Sequence, residues 1–213
     1  MRCDKGTMLL YAVTDRAWVG RQSLYEQVES ALKGGVTCVQ LREKTLSGSE
    51  FLAEAVMIRE LCRAYQIPFI INDNVEIAIQ CEADGVHVGQ EDGLAADVRR
   101  RIGDKMIMGV SAHTAEEAAK AVEDGADYLG VGAVFSTSTK RDASALSRQT
   151  MEAIRKSVTV PIVAIGGINK ENICRLSGSG ADGVALVSAI FSAGDIEAEC
   201  RELRRLSEKM VRA

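Results

Sequence analysis

Three short stretches with the same order of residue types decide the fold: Glu82-Ala83-Asp84-Gly85-Val86, Gly125-Ala126-Asp127-Tyr128-Leu129 and Gly180-Ala181-Asp182-Gly183-Val184. A fourth stretch, Gly34-Gly35-Val36-Thr37, is a weaker relative. Glycine ends a helix by adopting the left-handed conformation, alanine packs, and aspartate binds backbone amides just before an apolar run begins. The repeat therefore indicates one kind of helix-to-strand turn, used several times along the chain.

Outward from these turns, short apolar runs alternate with amphipathic segments, as expected for buried parallel strands joined by helices. The predicted strands are Met8–Val13, Cys38–Leu41, Phe69–Ile71, Gly85–Val88, Met106–Val110, Tyr128–Val131, Ile162–Ile165 and Gly183–Val187. The predicted helices are Ser23–Lys33, Ser47–Tyr65, Val75–Cys81, Leu94–Ile102, Thr114–Asp124, Ser147–Ser157, Asn172–Ser177 and Asp195–Val211. Three of these helices begin with the Ser/Thr-x-x-Glu pattern of a capping box.

Eight strands, eight helices and one turn chemistry predict a single closed (β/α)8 TIM barrel over residues 1–213. An open Rossmann sheet is the rival fold, but no G-x-G-x-x-G follows the first strand. The absence of a linker-like stretch favours one domain.

Composition excludes several classes of function. The chain has 213 residues, nine aromatic side chains (Phe 4, Tyr 4, Trp 1) and a net charge of −4, so neither base stacking nor a basic footprint for nucleic acid is expected. No apolar run reaches the roughly eighteen residues of a membrane helix. No secretory signal opens the chain, and the six cysteines form no C-x-x-C pair, so we expect a cytoplasmic protein with reduced thiols. Homo-oligomer formation is compatible with these numbers.

Polar residues gather where the predicted strands end, which is the catalytic face of such a barrel. They are Gln40, Arg42 and Lys44 after strand 2, Asn72 and Asp73 after strand 3, Asp92 after strand 4, Ser111 and His113 at strand 5, Thr137, Ser138, Thr139 and Lys140 after strand 6, Gly166 and Gly167 after strand 7, and Val187 and Ser188 after strand 8. The opposite ends mostly carry the turn residues. This asymmetry predicts an active site at the carboxyl ends of the strands.

Two phosphate sites are predicted among these residues. Gly166-Gly167 and Val187-Ser188 lie where barrels often bind phosphate through backbone amides and a helix N-terminus; a plain left-handed turn is the alternative. The 137–140 loop offers three hydroxyls and a lysine, which suit an oxyanion, although a flexible polar loop would look the same.

Asp73 and Asp92 end adjacent strands and form a carboxylate pair suited to Mg²⁺, which takes few protein ligands and keeps water or phosphate as the rest. Arg42 and Lys44 would then face a second, more highly charged phosphate group. Alternatively, both aspartates cap the helices that follow. His87, inside strand 4, is expected to be a hydrogen-bonded core residue, and His113 precedes the cap at Thr114, so no general base near neutral pH stands out.

Seven motifs taken together resemble the thiamine-phosphate synthase family: Leu10–Asp15 (LYAVTD), Gln40–Lys44 (QLREK), Ile71–Asp73 (IND), Gly85–Asp92 (GVHVGQED), Gly109–Ser111 (GVS), Thr137-x-Thr139-Lys140 and Ile165–Ile168 (IGGI). The match runs in order from about Leu9 to Phe191. The resemblance implies a Mg²⁺-dependent transferase that joins 4-amino-2-methyl-5-hydroxymethylpyrimidine diphosphate to a thiazole phosphate. In the family, diphosphate leaves first and the thiazole nitrogen captures a pyrimidine-methyl cation.

The resemblance also assigns roles. Gln40, Arg42, Lys44 and Asn72 match the binders of the pyrimidine diphosphate, and Ser111 and Lys140 match further contacts to it. Asp73 and Asp92 match the Mg²⁺ ligands. Residues 137–139, Gly167, Val187 and Ser188 match the contacts to the thiazole phosphate. Ser136 stands where the family has proline, and Asn74 stands where it often has arginine.

Three other functions are weighed against this one. A thiazole tautomerase on the same barrel would lack the acidic pair and use a histidine near the end of strand 6, where this chain has Ala133. A Schiff-base aldolase would need a desolvated Lys44 or Lys140, yet both lie among hydroxyls and charges. A non-catalytic sensor of a phosphate ligand would have no reason to keep every charged group.

Overall fold

Parallel strands close into a barrel in chain order, each hydrogen-bonded to its sequence neighbour and the last to the first. The computed structural model describes residues 3–20, 22–90, 94–136 and 146–212. The strands within these ranges are β1 Leu10–Val13, β2 Cys38–Leu41, β3 Phe69–Asn72, β4 Gly85–Val88, β5 Ile107–Ala112, β6 Tyr128–Gly132, β7 Ile162–Ile165 and β8 Gly183–Leu186. The predicted (β/α)8 TIM barrel is confirmed, and the open sheet is wrong.

Helices follow the strands around the outside of the barrel. They are α1 Leu24–Lys33, α2 Gly48–Ala64, α3 Val75–Gln80, α4 Ala95–Ile102, α5 Ala115–Glu123, α6 Arg148–Ser157, α7 Ser188–Phe191 and α8 Ile196–Arg212. The helix predicted at 172–177 is instead a single 3-10 turn, Ile173–Leu176, and a second such turn, Arg16–Trp18, was not predicted. The one-turn helix α7 was also missed, since four residues carry no readable period. No helix in the described part of the chain is long and apolar enough to cross a membrane.

The capping boxes form at two of the three predicted positions. The amide of Ser23 donates to Glu26 at 2.7 Å, and the amide of Ser47 donates to Glu50 at 3.0 Å. At the third, the Thr114 hydroxyl accepts from the Glu117 amide, but the Glu117 carboxylate accepts from the amide of the preceding residue, His113. His113 therefore belongs to a helix start, as its position before the cap suggested.

The repeated turns tie each strand to the one before it. The carboxylate of Asp84 accepts from the amide of Phe69 at 2.9 Å, that of Asp127 from Met108 at 2.8 Å, and that of Asp182 from Ile162 at 3.0 Å. At the weaker fourth copy the Thr37 hydroxyl accepts from the amide of Leu10, at 2.9 Å. Each turn thus satisfies a backbone amide at the amino end of a strand, which would otherwise need another partner.

Apolar side chains form two clusters, one between sheet and helices and one inside the barrel. The inner cluster contains Tyr11 and Tyr128, both fully buried. Room for Tyr128 comes from Gly109 on the neighbouring strand, where an added Cβ would lie 2.1 Å from the tyrosine ring. Aromatic rings therefore fill the barrel below the mouth, and the mouth itself is left to polar groups.

Candidate active site

The predicted site residues of β2, β3 and β5 lie at the carboxyl ends of their strands. Gln40, Asn72 and Ser111 are each the last or second-to-last residue of their strands. Arg42 and Lys44 follow in the loop after β2. Gln40 is buried, whereas Arg42 and Lys44 are increasingly exposed, with 23% and 53% of their side chains accessible. The arrangement places an amide deep in the barrel and two cations at its rim.

A buried carboxylate organises the loop that carries these cations. Oε1 of Glu43 accepts from the amides of Lys44 and Thr45, both at 2.7 Å, and Oε2 accepts from Nε of Arg16 at 2.6 Å. Arg16 is held in turn by Glu54 of α2. Burial alone would raise the pKa of Glu43, but the Thr45 amide, Arg16 and the other donors outweigh it and lower the pKa to about 2.

Each of the two cations faces a carboxylate. Lys44 Nζ lies 2.6 Å from Oδ2 of Asp73, and Arg42 Nη1 lies 3.6 Å from Oδ2 of Asp15. The amide of Arg42 donates to the Thr14 hydroxyl at 3.0 Å, which fixes the loop against β1. The mouth therefore holds two positive and two negative groups within ion-pair distance, a set that a metal-bound polyphosphate can enter by exchanging partners.

Asp73 is not a helix cap. The cap of α3 is Asn74, whose side chain accepts from the amide of Ile77 at 3.0 Å. Asp73 has φ of 61°, in the left-handed region that non-glycine residues rarely adopt, and such strain concentrates at functional sites. This conformation turns its carboxylate toward Lys44. The departure at Asn74 thus has a structural use, and the capping alternative is wrong for Asp73.

Asp73 fits a magnesium site of the kind that relies on substrate phosphate. Its side chain is 28% exposed at the mouth and already binds a cation, the Lys44 ammonium. Mg²⁺ is commonly held by one or two carboxylates together with phosphate and water. Within the described ranges, no three His, Cys, Asp or Glu side chains are grouped to hold a metal. The second predicted ligand, Asp92, lies outside those ranges.

A chain of hydrogen bonds crosses the floor of the mouth. Gln40 Nε2 donates to Tyr11 Oη at 2.9 Å, Tyr11 Oη lies 2.9 Å from Tyr128 Oη, and Tyr128 Oη lies 3.0 Å from His87 Nδ1. His87 Nε2 lies 3.0 Å from Ser111 Oγ. Burial raises the pKa of both tyrosines well above 10, so both hydroxyls keep their protons. His87 is therefore hydrogen-bonded, as expected, but it is half-buried and does not belong to the buried core, and its partners are site residues.

The turn after β7 uses its two glycines for close packing. Gly166 and Gly167 have φ of 99° and 65°, and a Cβ at Gly167 would lie 2.3 Å from the carbonyl oxygen of Ser136. The glycines are thus required by the backbone itself. Val187 packs against the cluster inside the barrel, and Ser188 begins α7, whose four residues add little dipole.

Four predicted site residues, Thr137, Ser138, Thr139 and Lys140, fall outside the described ranges, as does Asp92. Conversely, Glu43, Arg16, Tyr11 and Tyr128 were not predicted as part of the site. Glu43 lies inside the QLREK motif. It could have been predicted as a carboxylate at the start of a loop, where a side chain can accept from the backbone amides that follow. The tyrosines carry a weaker signal: a polar-tipped aromatic in the middle of a strand needs a partner when buried.

Comparison with known proteins agrees with this geometry. The family model described as thiamine monophosphate synthase matches residues 10–190. Thiamine-phosphate synthase of Clostridioides difficile (strain 630) is 50% identical over 195 residues, covering 92% of this chain and 93% of the relative. Thiamine-phosphate synthase of Chloroflexus aurantiacus (strain ATCC 29366 / DSM 635 / J-10-fl) is 49% identical over 198 residues, covering 92% and 91%.

A solved structure extends the agreement to three dimensions. The thiamine phosphate pyrophosphorylase of Pyrococcus furiosus superposes with a TM-score of 0.89 at 37% identity, over 97% of this chain and 98% of that one. The matched region includes β1 to β8, and so all the strand ends that form the mouth. The chain therefore belongs to the thiamine monophosphate synthase family.

Proposed function

We propose that this chain joins 4-amino-2-methyl-5-hydroxymethylpyrimidine diphosphate to a thiazole phosphate, giving thiamine phosphate and diphosphate. Membership of the family supports this transferase reaction. The observation that carries it is the Lys44–Asp73 ion pair beside Arg42: a carboxylate and two cations at the rim are the groups that a metal-bound diphosphate requires. The small-molecule substrates enter at the carboxyl ends of the strands.

The cations act on the leaving group. The bond from the pyrimidine methylene carbon to oxygen breaks first, and its electron pair leaves with diphosphate, whose charge grows in the transition state. Arg42 and Lys44 at the rim, with Lys140, which follows β6 in the sequence, stabilise the transition state more than the ground state. The thiazole nitrogen then captures the carbocation. No group with a pKa near neutrality is needed for the first step.

Asp73 and Asp92 would hold Mg²⁺ at this end of the barrel. When bound, the ion supplies charge neutralisation on the diphosphate oxygens. The left-handed backbone of Asp73 keeps its side chain directed at the mouth, where it now pairs with Lys44. The residue after it, Asn74, supplies the cap of α3.

The remaining contacts follow the strand order. Gln40, Asn72 and Ser111 bind the pyrimidine diphosphate from β2, β3 and β5. Gly167, Val187 and Ser188 bind the thiazole phosphate beside β7 and β8, together with residues 137–139. Packing already requires glycine at positions 166 and 167, so the two glycines are not in themselves evidence for an anion site. We attribute binding of the phosphate to the backbone amides of this turn.

Two alternatives lack support. A thiazole tautomerase would use a histidine after β6, and Ala133 stands there, 8% exposed. A phosphate sensor without catalysis would not explain why the curated relatives at 49–50% identity are thiamine-phosphate synthases. We place the reaction in the cytoplasm, in keeping with cysteines of which none is paired in a disulfide within the described chain. Assembly into a homo-oligomer stays a prediction.

The test is a direct assay for both products. Incubated with both substrates and Mg²⁺, the chain is expected to release diphosphate and form thiamine phosphate in equal amounts. Chelation of Mg²⁺ should abolish the rate. Failure to form either product, or a rate that survives chelation, contradicts the proposal.

A variant separates the catalytic role of Asp73 from a structural one. Asp73→Ala is expected to lower kcat by at least about 100-fold, or about 2.7 kcal/mol, while the Kd for thiazole phosphate changes less than twofold. The matched control Asp104→Ala removes an exposed carboxylate elsewhere and should leave both unchanged. Equal losses in rate and in thiazole phosphate affinity would make Asp73 a structural residue.

A further inference from the structure

The floor of the mouth contains groups that the reaction as described does not use. Tyr11, Tyr128 and His87 connect Gln40 on one side of the barrel to Ser111 on the other, with every link between 2.9 and 3.0 Å. The two tyrosine rings meet edge to face, and the His87 ring lies 5.5 Å from that of Tyr128. Such a chain transmits orientation from one end to the other, because each hydroxyl has one proton to give.

The direction of these hydrogen bonds follows from the Gln40 side chain. The Gln40 nitrogen can only donate, so Tyr11 Oη accepts there and gives its own proton elsewhere. The Tyr128 oxygen at 2.9 Å is a better acceptor than a nearby thiol such as that of Cys38, since sulfur accepts weakly. In this direction Tyr128 would give its proton to His87 Nδ1 at 3.0 Å, and His87 Nε2–H would donate to Ser111 Oγ, also at 3.0 Å.

The direction of the hydrogen bond between His87 and Ser111 decides whether the Ser111 hydroxyl donates to a ligand or only accepts from it. If Ser111 Oγ accepts from His87, its own proton is left to point into the mouth as a donor. If the chain ran the other way, Ser111 would give its proton to His87 and could only accept from the ligand. An anionic phosphate oxygen needs a donor, so the first direction suits the diphosphate and the second opposes it.

We propose that Tyr128 and His87 are positioning residues: Tyr128 keeps the donor hydrogen of His87 on Nε2, and His87 turns the Ser111 hydroxyl proton toward the pyrimidine diphosphate. This inference rests on the proposed role of Ser111 as a contact to that substrate. The carbonyl oxygen of Ser111 is fixed separately, by the Gln90 side chain at 2.6 Å, so the hydroxyl rotor is what remains to be set.

The backbone around the pair is shaped to admit it. A Cβ at Gly109 would lie 2.5 Å from His87 Nδ1 as well as 2.1 Å from the Tyr128 ring, and one at Gly130 would lie 2.9 Å from His87 Cε1. The glycines of β5 and β6 thus leave the space that the two rings occupy. An interior that needed only filling could have used aliphatic residues on all four positions.

The tautomer can be read directly, because the chain has only two histidines. In His113→Asn, labelled with ¹⁵N-histidine, the imidazole signals come from His87 alone. We expect a protonated Nε2 and an acceptor Nδ1 in the free protein. In Tyr128→Phe the donor to Nδ1 is gone, and we expect a mixture of tautomers. The control Tyr65→Phe, at a partly exposed ring, should keep the Nε2–H form. An Nδ1–H tautomer in the His113→Asn protein overturns the proposal.

Kinetics then tests whether the orientation matters. Tyr128→Phe is expected to lower kcat/KM for the pyrimidine diphosphate about tenfold, the value of one well-placed hydrogen bond, with KM for thiazole phosphate within twofold. In a Ser111→Ala background the same change should have no further effect. An equal, additive loss in both backgrounds means that Tyr128 acts only through packing, and overturns the proposal. Tyr11→Phe breaks an earlier link and serves as the second variant should Tyr128→Phe not fold.

The two experiments also separate this inference from the proposed function. If Ser111→Ala alone leaves the rate unchanged, the assignment of Ser111 fails, whatever the tautomer of His87. If Ser111→Ala lowers the rate but Tyr128→Phe does not, the site assignment stands and the positioning role is wrong.

Discussion

Neighbouring residues of one loop have separate tasks in this site. Arg42 and Lys44 point their charges into the mouth, whereas Glu43 between them is turned inward, with 3% of its side chain exposed. It binds the loop amides on one oxygen and Arg16 on the other. Because the loop backbone is fixed by this carboxylate, the two cations are held in place before any substrate arrives, which lowers the cost of ordering them on binding.

We predict that Glu43→Gln lowers the free energy of unfolding at pH 7 by about 1–3 kcal/mol, since charge-assisted bonds to Arg16 and the amides become neutral ones. The folded pKa of about 2 lies below the ordinary 4.5, so the ionised carboxylate stabilises the fold fully above pH 4.5. That advantage is lost as the pH falls toward 2. Urea unfolding of both proteins at pH 7, 5 and 3 measures it.

The control for Glu43 is Glu60→Gln, which changes a carboxylate with 54% of its side chain exposed. We expect less than about 0.5 kcal/mol at any of these pH values. KM for the pyrimidine diphosphate should rise in Glu43→Gln and not in the control. A stability difference for Glu43→Gln that stays constant from pH 7 to 3 would show that the charge of Glu43 is not what holds the loop.

At the scale of elements, the helix-to-strand turns build the closed sheet. Asp182 shows the full pattern: its carboxylate accepts from the Ile162 amide, pairs with Arg155 of α6 at 2.9 Å, and meets Lys5 at 2.8 Å. One side chain thereby joins β7, the turn before β8, an outer helix and the segment before β1. This is where the barrel closes, so the turn fixes more than local geometry.

We predict that Asp182→Ala lowers the free energy of unfolding by about 2–4 kcal/mol, because it orphans a strand amide and leaves Arg155, 23% exposed, without its carboxylate. The matched control is Asp97→Ala in α4, whose carboxylate pairs with Arg100 on the surface and should matter by less than about 0.5 kcal/mol. Equal midpoints for the two variants in urea would mean that the repeated aspartates are not structural.

Much of this architecture could be predicted from local sequence, because turns and strand ends are local. The Ala-Asp repeat gave the barrel, and the polar strand ends gave the face that holds Lys44 and Asp73. The link from Gln40 to Ser111 could not be predicted, since it depends on barrel closure bringing β1 against β6 across the interior. The helix expected at 172–177 also failed, because six residues ahead of Gly178 are too few to distinguish one 3-10 turn from an α-helix.

At the scale of the whole molecule, the proposed diphosphate site takes residues from β2, β3 and β5. A ligand bound there would contact several strands of one closed sheet and would stabilise the folded state as a whole. Binding to the folded state alone adds about 2.7 kcal/mol of stability at a ligand concentration of 100 Kd. For a chain of this length, each kcal/mol raises Tm by about 2–4 °C. We therefore predict that diphosphate with Mg²⁺ raises Tm by about 5–10 °C.

Calorimetry with and without a chelator checks this linkage. Diphosphate alone leaves Asp73 and the phosphate oxygens with like charges facing each other, so the rise in Tm should shrink to about 2 °C or less once Mg²⁺ is removed. Asp73→Ala should lose most of the Mg²⁺-dependent part, and Asp104→Ala should keep all of it. If diphosphate raises Tm equally in the presence of chelator, then Arg42 and Lys44 bind it without the metal, and Asp73 serves only to hold Lys44 through their 2.6 Å ion pair.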